Sequence, residues 1–423
     1  LDEAPEYPQF ADGYHSVQKG SKMATLEEGR RACCKLLRWA DGHLLRRRGD
    51  GLDVDPDPAW YKRLQGHYKW ETLKKIAMPP GCELRLWATP VGVERAGEPQ
   101  CPETPYGKTV VFAHYRMSTR AVAVLTSMEA QLRREEVCPG RLLQPLQGAR
   151  EMLLEPFRPL LKAIAAKAEK DPAGPGGETL LQGLRKLLSQ AVTTFFSTTH
   201  ALRVVTAHAL LAGQGALPET AEAVLAYCRA YHWRAAVGEY LSCLAAFVPL
   251  EKLDAKELAR IFREVQSVLG WTDRDRTRVL VLPDWADQGY PCTFGERYTS
   301  DYSDKSAHNE EDGEEGVRRN TARRLEHIRR RFQSPFYPFV LAASETAQEG
   351  VDLHSYAQTV VHWSVPSNLN AFVQEEGRVD RRGSLTIRRQ LRYLAERDER
   401  QRLLLAWARR TGDLTPLFDP ERA

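Results

Sequence analysis

The sequence predicts an α/β fold, a parallel sheet flanked by helices and interrupted by a large all-helical insertion. Three observations predict it. The apolar runs Val110–Ala113 and Phe339–Ala343 are continuous rather than alternating, as strands covered on both faces must be. Each leads into a small polar turn, and a third short run, Thr359–Trp363, reads as another buried strand that ends at Pro366. Between the first two runs, residues 151–270 repeat apolar side chains at helical rather than strand spacing.

Composition bounds the class. A chain of 423 residues has room for two or three domains, and 42% hydrophobic with 27% charged residues is an ordinary globular balance. The net charge of +4 leaves no global polyanion footprint, so any nucleic-acid site must be local. The eight cysteines include no C-x-x-C, and Cys33 and Cys34 are adjacent. That argues against structural zinc and for a reducing, cytoplasmic setting. The 11 histidines show no metal-ligand spacing, so no metal site is expected. No apolar run approaches the roughly 18 residues of a membrane span, and no signal peptide is recognised. The first residue is Leu1 rather than Met, from which we expect a fragment of a longer polypeptide.

Taken in order, residues 1–104 read as a lead-in of helix and linker. Thr25 and Glu28 form a capping box for a helix to about Arg46. Trp60, Tyr61, Tyr68 and Trp70 fit a packed interface better than a base-stacking surface. Pro79-Pro80-Gly81 breaks the chain, and 91–106 reads as a linker. Residues 105–150 hold the first strand and a helix from about Thr119. Residues 151–272 read as the helical insertion, a docking face for a protein partner or a passive structural block. Its apolar faces are Leu180, Leu181, Leu184, Leu187 and Leu188; Val224, Leu225, Cys228 and Tyr231 after Pro218; and Leu258, Ile261, Phe262, Val265 and Leu269 behind Asp254-x-x-Glu257. Residues 273–411 resume the α/β domain, with a strand at Arg278–Leu282 and a solvated acidic loop at 300–316. A helix at 317–333 follows, with Leu325, Ile328 and Phe332 buried and seven arginines, Arg329, Arg330 and Arg331 among them, on its other faces. An Arg-rich helix spans 387–410, and 412–423 is a tail.

The chemistry concentrates at 371–384. Gln374, Gly377, Arg378 and Arg381 form a Q-x-x-G-R-x-x-R pattern, and on a helical turn the two arginines project to one side. Two planar, always-charged guanidinium forks suit a triphosphate. The bland alternative is a surface pair neutralised by Glu375 and Asp380. Upstream, Gly350-Val351-Asp352 follows the second strand run, where glycine lets the backbone turn close to a ligand.

In this order, Lys108–Thr119, Pro338–Leu353 and Ala371–Ser384 resemble motifs IV, V and VI of the superfamily 2 helicases and translocases. The resemblance covers about 105–150 and 275–385 and implies their second RecA-like domain. It implies that Arg378 and Arg381 act on the phosphates of ATP in catalysis. Gln374, Gly350, Asp352 and Gly377 would border the nucleotide, Asp352 at its ribose. Ser344, Arg116 and Thr346 would meet nucleic-acid phosphates, with DNA favoured over RNA. The stretch around Arg378–Ser384 is similar to Swi/Snf-type and bacterial defence-associated members. Glu375 stands where the family often has arginine, which removes a third arginine contact. No G-x-x-x-x-G-K-[S/T] loop and no Asp-Glu pair after a buried strand occur in the chain. The Mg²⁺ ion would therefore be held by a first RecA-like domain in the same or another polypeptide, and this chain alone should not hydrolyse ATP. A helicase-like docking module without turnover is the alternative, and a basic nucleic-acid-binding protein without a nucleotide role is a third reading.

Overall fold

The computed structural model describes residues 45–48, 51–54, 68–88, 107–113, 142–169, 177–213, 217–270, 277–278, 293–294, 299–302, 325–344, most of 352–397, and part of 119–133. The expected helix after Thr25, the residues Trp60 and Tyr61, the strand beyond Arg278 and the tail lie outside the described residues.

Four strands build the sheet: β1 (Lys108–Ala113), β2 (Thr299–Tyr302), β3 (Val340–Ser344) and β4 (Ala357–His362). All pair in parallel, in spatial order β2-β3-β1-β4. The α/β class is therefore observed, with helices on both faces. Residues 45–54 and 277–294 contribute two small antiparallel pairs outside this sheet.

Alternation along the strands sorts their side chains onto two faces. Val110, Phe112, Leu341 and Ala343 share one apolar cluster with Phe332, Leu353 and Val379. Val111, Val340 and Ala342 share the other with the helices. These are α1 (Tyr68–Ala77), α2 (Arg158–Ala168), α3 (Gly177–Ser197), α4 (Thr199–Leu211), α5 (Thr220–Ala230), α6 (Trp233–Leu244) and α7 (Ala255–Leu269). The first face is covered by α8 (325–332) and by the turn after α9 (Leu369–Glu376), and α10 (Leu385–Arg397) follows.

The helical block and the sheet share a continuous core. Phe336 and Tyr337, just before β3, enter an aromatic cluster with Phe195, Trp233, Tyr240 and His200, with centroids 4.5–5.9 Å apart. Residues 70–88 pack into it as well. Trp70 and Trp87 are buried, and Trp87 donates its indole N–H to Tyr231 O at 2.6 Å. Trp70 thus belongs to the packed core. Asp254 caps α7 by accepting from Glu257 N at 2.7 Å, and all five predicted core positions of that helix are buried.

Four expectations are corrected. Residues 299–302 form edge strand β2 rather than acidic loop, because Thr299 and Tyr302 are buried and parallel pairing needs no apolar run at an edge. The run at Thr359–Trp363 is half-buried, since β4 is the opposite edge. Leu187 is exposed, because the buried ladder of α3 runs through Leu188, Ala191, Val192 and Phe195 and turns Leu187 outward. Arg331 is buried rather than on an outer face, beside Phe332 at the end of α8.

Lys108 begins the central strand and is wholly buried. Its Nζ donates to Arg331 O at 3.1 Å and to Phe336 O, and it faces the rings of Phe332 and Phe339. Burial holds the amine well below the usual lysine range.

One buried ion pair ties α10 to the helical block. Arg388 bonds Glu239 of α6 at 3.0 Å, donates to Ser355 O and Gly383 O, and stacks on Tyr356 at 5.3 Å. Removing one partner strands the other charge in a poorly solvated site. Glu239→Ala should therefore lower unfolding free energy by about 3 kcal/mol, measured by denaturant titration, with Glu239→Gln losing less.

Candidate functional site

Helix α9 starts where Asn368 accepts from Ala371 N at 2.7 Å, a side-chain cap that fixes the first turn. The helix proper ends at Glu376, and the chain continues in turns bonded Arg378 N to Glu375 O, Val379 N to Glu376 O and Asp380 N to Glu376 O. A Cβ on Gly377 would meet Val373 O at 3.2 Å, so close backbone approach favours glycine there. Val379 is buried in the sheet core and pins the turn, while Gly383 at φ 79° lets it swing into α10. The two arginines are thus displayed on a pinned turn rather than on a regular helix.

That turn lies against the segment before β4. Leu353 N donates to Arg378 O at 3.1 Å. Arg381 pairs through Nη1 with Asp352 and donates Nε–H to Gly377 O at 3.0 Å. The Gln333 side chain donates to Asp352 O. Asp352, Gly377, Arg378 and Arg381, chosen from two separate motifs, therefore converge. Gln374 is exposed on α9, with no contact to this cluster described.

The Glu375 side chain is turned inward. It is only 4% exposed and bonds His362 Nδ1 at 2.7 Å. The His362 ring is stacked between Phe112 and Phe372, with centroids 6.3 and 4.4 Å away. This clamp anchors the last turn of α9 to the end of β4. Sequence reasoning missed it because its partners belong to a strand end and a helix joined only in space.

The electrostatics around Asp352 are one-sided. Arg329 and Arg381 both act on it, and His354 lies in the same field. Burial holds the His354 imidazole below its ordinary value; Asp352 opposes this, and Arg381 and Arg388 add to it. Arg329 Nε, Arg378 Nε and His354 Nδ1 are buried without hydrogen-bond partners. Among the described residues no group of three or more His, Cys, Asp or Glu could hold a metal. Asp352 pairs with Arg381 and Glu326 pairs with Arg329 at 2.8 Å, a setting of guanidinium groups that suits anionic oxygens better than Mg²⁺.

Ser344 stands elsewhere. It is the last residue of β3, 2% exposed, and its parity with Val340 and Ala342 places it on the face toward the helical block. Gly350, Arg116 and Thr346 lie outside the described residues. The sheet topology nevertheless singles out this end. After β1 the chain passes to the helical face, where Val122 and Ala130 pack, and after β3 it passes to the opposite face through Leu353. Ligand sites in open α/β sheets favour the carboxyl ends of adjacent strands whose connections part in this way, the ends that Ala113 and Ser344 mark here.

Comparison with protein-family models, curated proteins and solved structures finds no match.

The depressed His354 pKa sets a pH dependence. The unfolded imidazole, near 6.5, takes up a proton before the folded one as pH falls. Stability is thus fully present above about 6.5 and declines as pH drops below it. His354→Gln should shrink the loss of thermal midpoint between neutral and mildly acidic pH, read by circular dichroism at both.

Proposed function

We propose that this chain is the arginine-bearing half of a nucleic-acid-driven ATPase of the helicase or translocase type, with a second RecA-like domain as its core. The observation that carries this reading is the pairing of Asp352 with Arg381 beside the turn that bears Arg378, while Ser344 ends a strand on the other face of the same sheet. An NTP-driven motor needs two anion sites, one for the triphosphate and one for the track. In this reading Arg378, with a buried donor that has no partner, offsets charge developing on the transferred phosphoryl group. Arg381 grips a neighbouring oxygen, and Gln374, Gly350 and Gly377 border the nucleotide. Ser344, Arg116 and Thr346 contact the nucleic-acid backbone, with DNA the favoured track. The arginines stabilise charge but neither hold Mg²⁺ nor position water. Those tasks fall to a first RecA-like domain carrying the phosphate loop.

Leu369 and Val373, 75% and 57% exposed one turn apart on α9, support the second reading, a helicase-like docking module without turnover. Hydrolysis separates the two. In the longest polypeptide containing this chain, DNA should raise the ATPase rate, and Arg378→Ala should lower it by about 10³-fold or more. No hydrolysis with either DNA or RNA would leave the docking module.

A further inference from the structure

Asp352 pairs with Arg381 and acts on Arg329 and His354, while Glu326 pairs with Arg329 at 2.8 Å. Arg381 spends one N–H on Asp352 and one on Gly377 O, out of five. Arg329 and Arg378 each keep a buried Nε without an acceptor, and His354 keeps a buried Nδ1 without a partner. The Asp352 and Glu326 carboxylates do not serve them all. A chain of phosphate groups can, because it brings several oxygens and several charges.

We propose that Arg329, His354, Arg378 and Arg381 line a polyphosphate seat in which Asp352 stands in for the ligand and is displaced when the ligand arrives. This deepens the nucleotide reading and rests on it, and it alters one role. Asp352 becomes a competitor for Arg381 rather than a contact to the ribose. It also adds Arg329 and His354, from α8 and from the turn before β4, to the residues that meet phosphate. The latch is weak by construction. Arg381 and Asp352 are 41% and 44% exposed, so water and salt screen their attraction, and a ligand of higher charge outcompetes it.

The test is calorimetric titration of the chain at low salt with inorganic tripolyphosphate, which has no ribose, and in parallel with ATP. Asp352→Asn should bind tripolyphosphate about three- to tenfold more tightly, since it frees Arg381 and removes a repelling charge. Arg381→Ala should weaken binding and abolish the gain in the double variant, and Arg329→Gln should weaken it with the fold intact by circular dichroism. Unchanged or weaker tripolyphosphate binding by Asp352→Asn, beside wild-type binding that still needs Arg378, overturns the latch and leaves the nucleotide reading standing. Weaker ATP binding with unchanged tripolyphosphate binding assigns Asp352 to the ribose and also overturns it. Tripolyphosphate binding indifferent to Arg378→Ala and Arg381→Ala sinks both the latch and the reading beneath it.

Discussion

Every part of the fold is placed relative to β1, a strand whose residues are all buried because apolar layers cover it on both faces. Val111 commits one face to the helical block, and Val110 and Phe112 commit the other to α8 and the turn after α9. A strand in this position cannot shift by one residue without exchanging its two layers. Lys108 at its start is held to the same constraint: its buried amine donates to two carbonyls that close the segment leading into β3. The two loops of chemical interest inherit their positions from this arrangement, since β3 and β4 flank β1 directly.

The residues proposed for nucleotide and for nucleic acid fall on opposite faces of the sheet. Asp352, Arg378 and Arg381 are held by the layer around Phe332, Leu353 and Val379, while Ser344 belongs to the layer shared with the helices. The His362–Glu375 clamp joins the end of β4 to the helix that delivers the arginines, so a change at the carboxyl ends of the strands has an element through which to reach the arginine turn. Aromatic rings stack on both sides of His362, at 6.3 and 4.4 Å.

Much of this was legible from residues alone. The strands β1 and β3 announce themselves because double coverage demands an unbroken apolar run, and α7 does so because a capping residue and a full apolar stripe coincide at Asp254–Leu269. Strand β2 was hidden because an edge strand of Thr, Ser, Asp and Tyr carries no periodic signal. Arg331 was misplaced because local charge says nothing about a helix end tucked under the sheet. Asp352 and Arg381 were both singled out, yet for different parts of one ligand; their mutual pairing depends on a turn geometry that spacing does not encode. Trp87 went unnoticed because its partners, Tyr227, Tyr231 and Trp233, lie far along the chain.

The claim that two anion sites occupy opposite faces is open to one direct measurement: fluorescence anisotropy of labelled double-stranded DNA with the longest polypeptide containing this chain, against the Arg378→Ala/Arg381→Ala double variant. The account predicts equal DNA affinity and an equal salt slope, because the track lies beside Ser344 and not beside the arginines. A double variant that loses DNA binding, with a shallower salt slope, would contradict it and make the arginine turn a nucleic-acid patch.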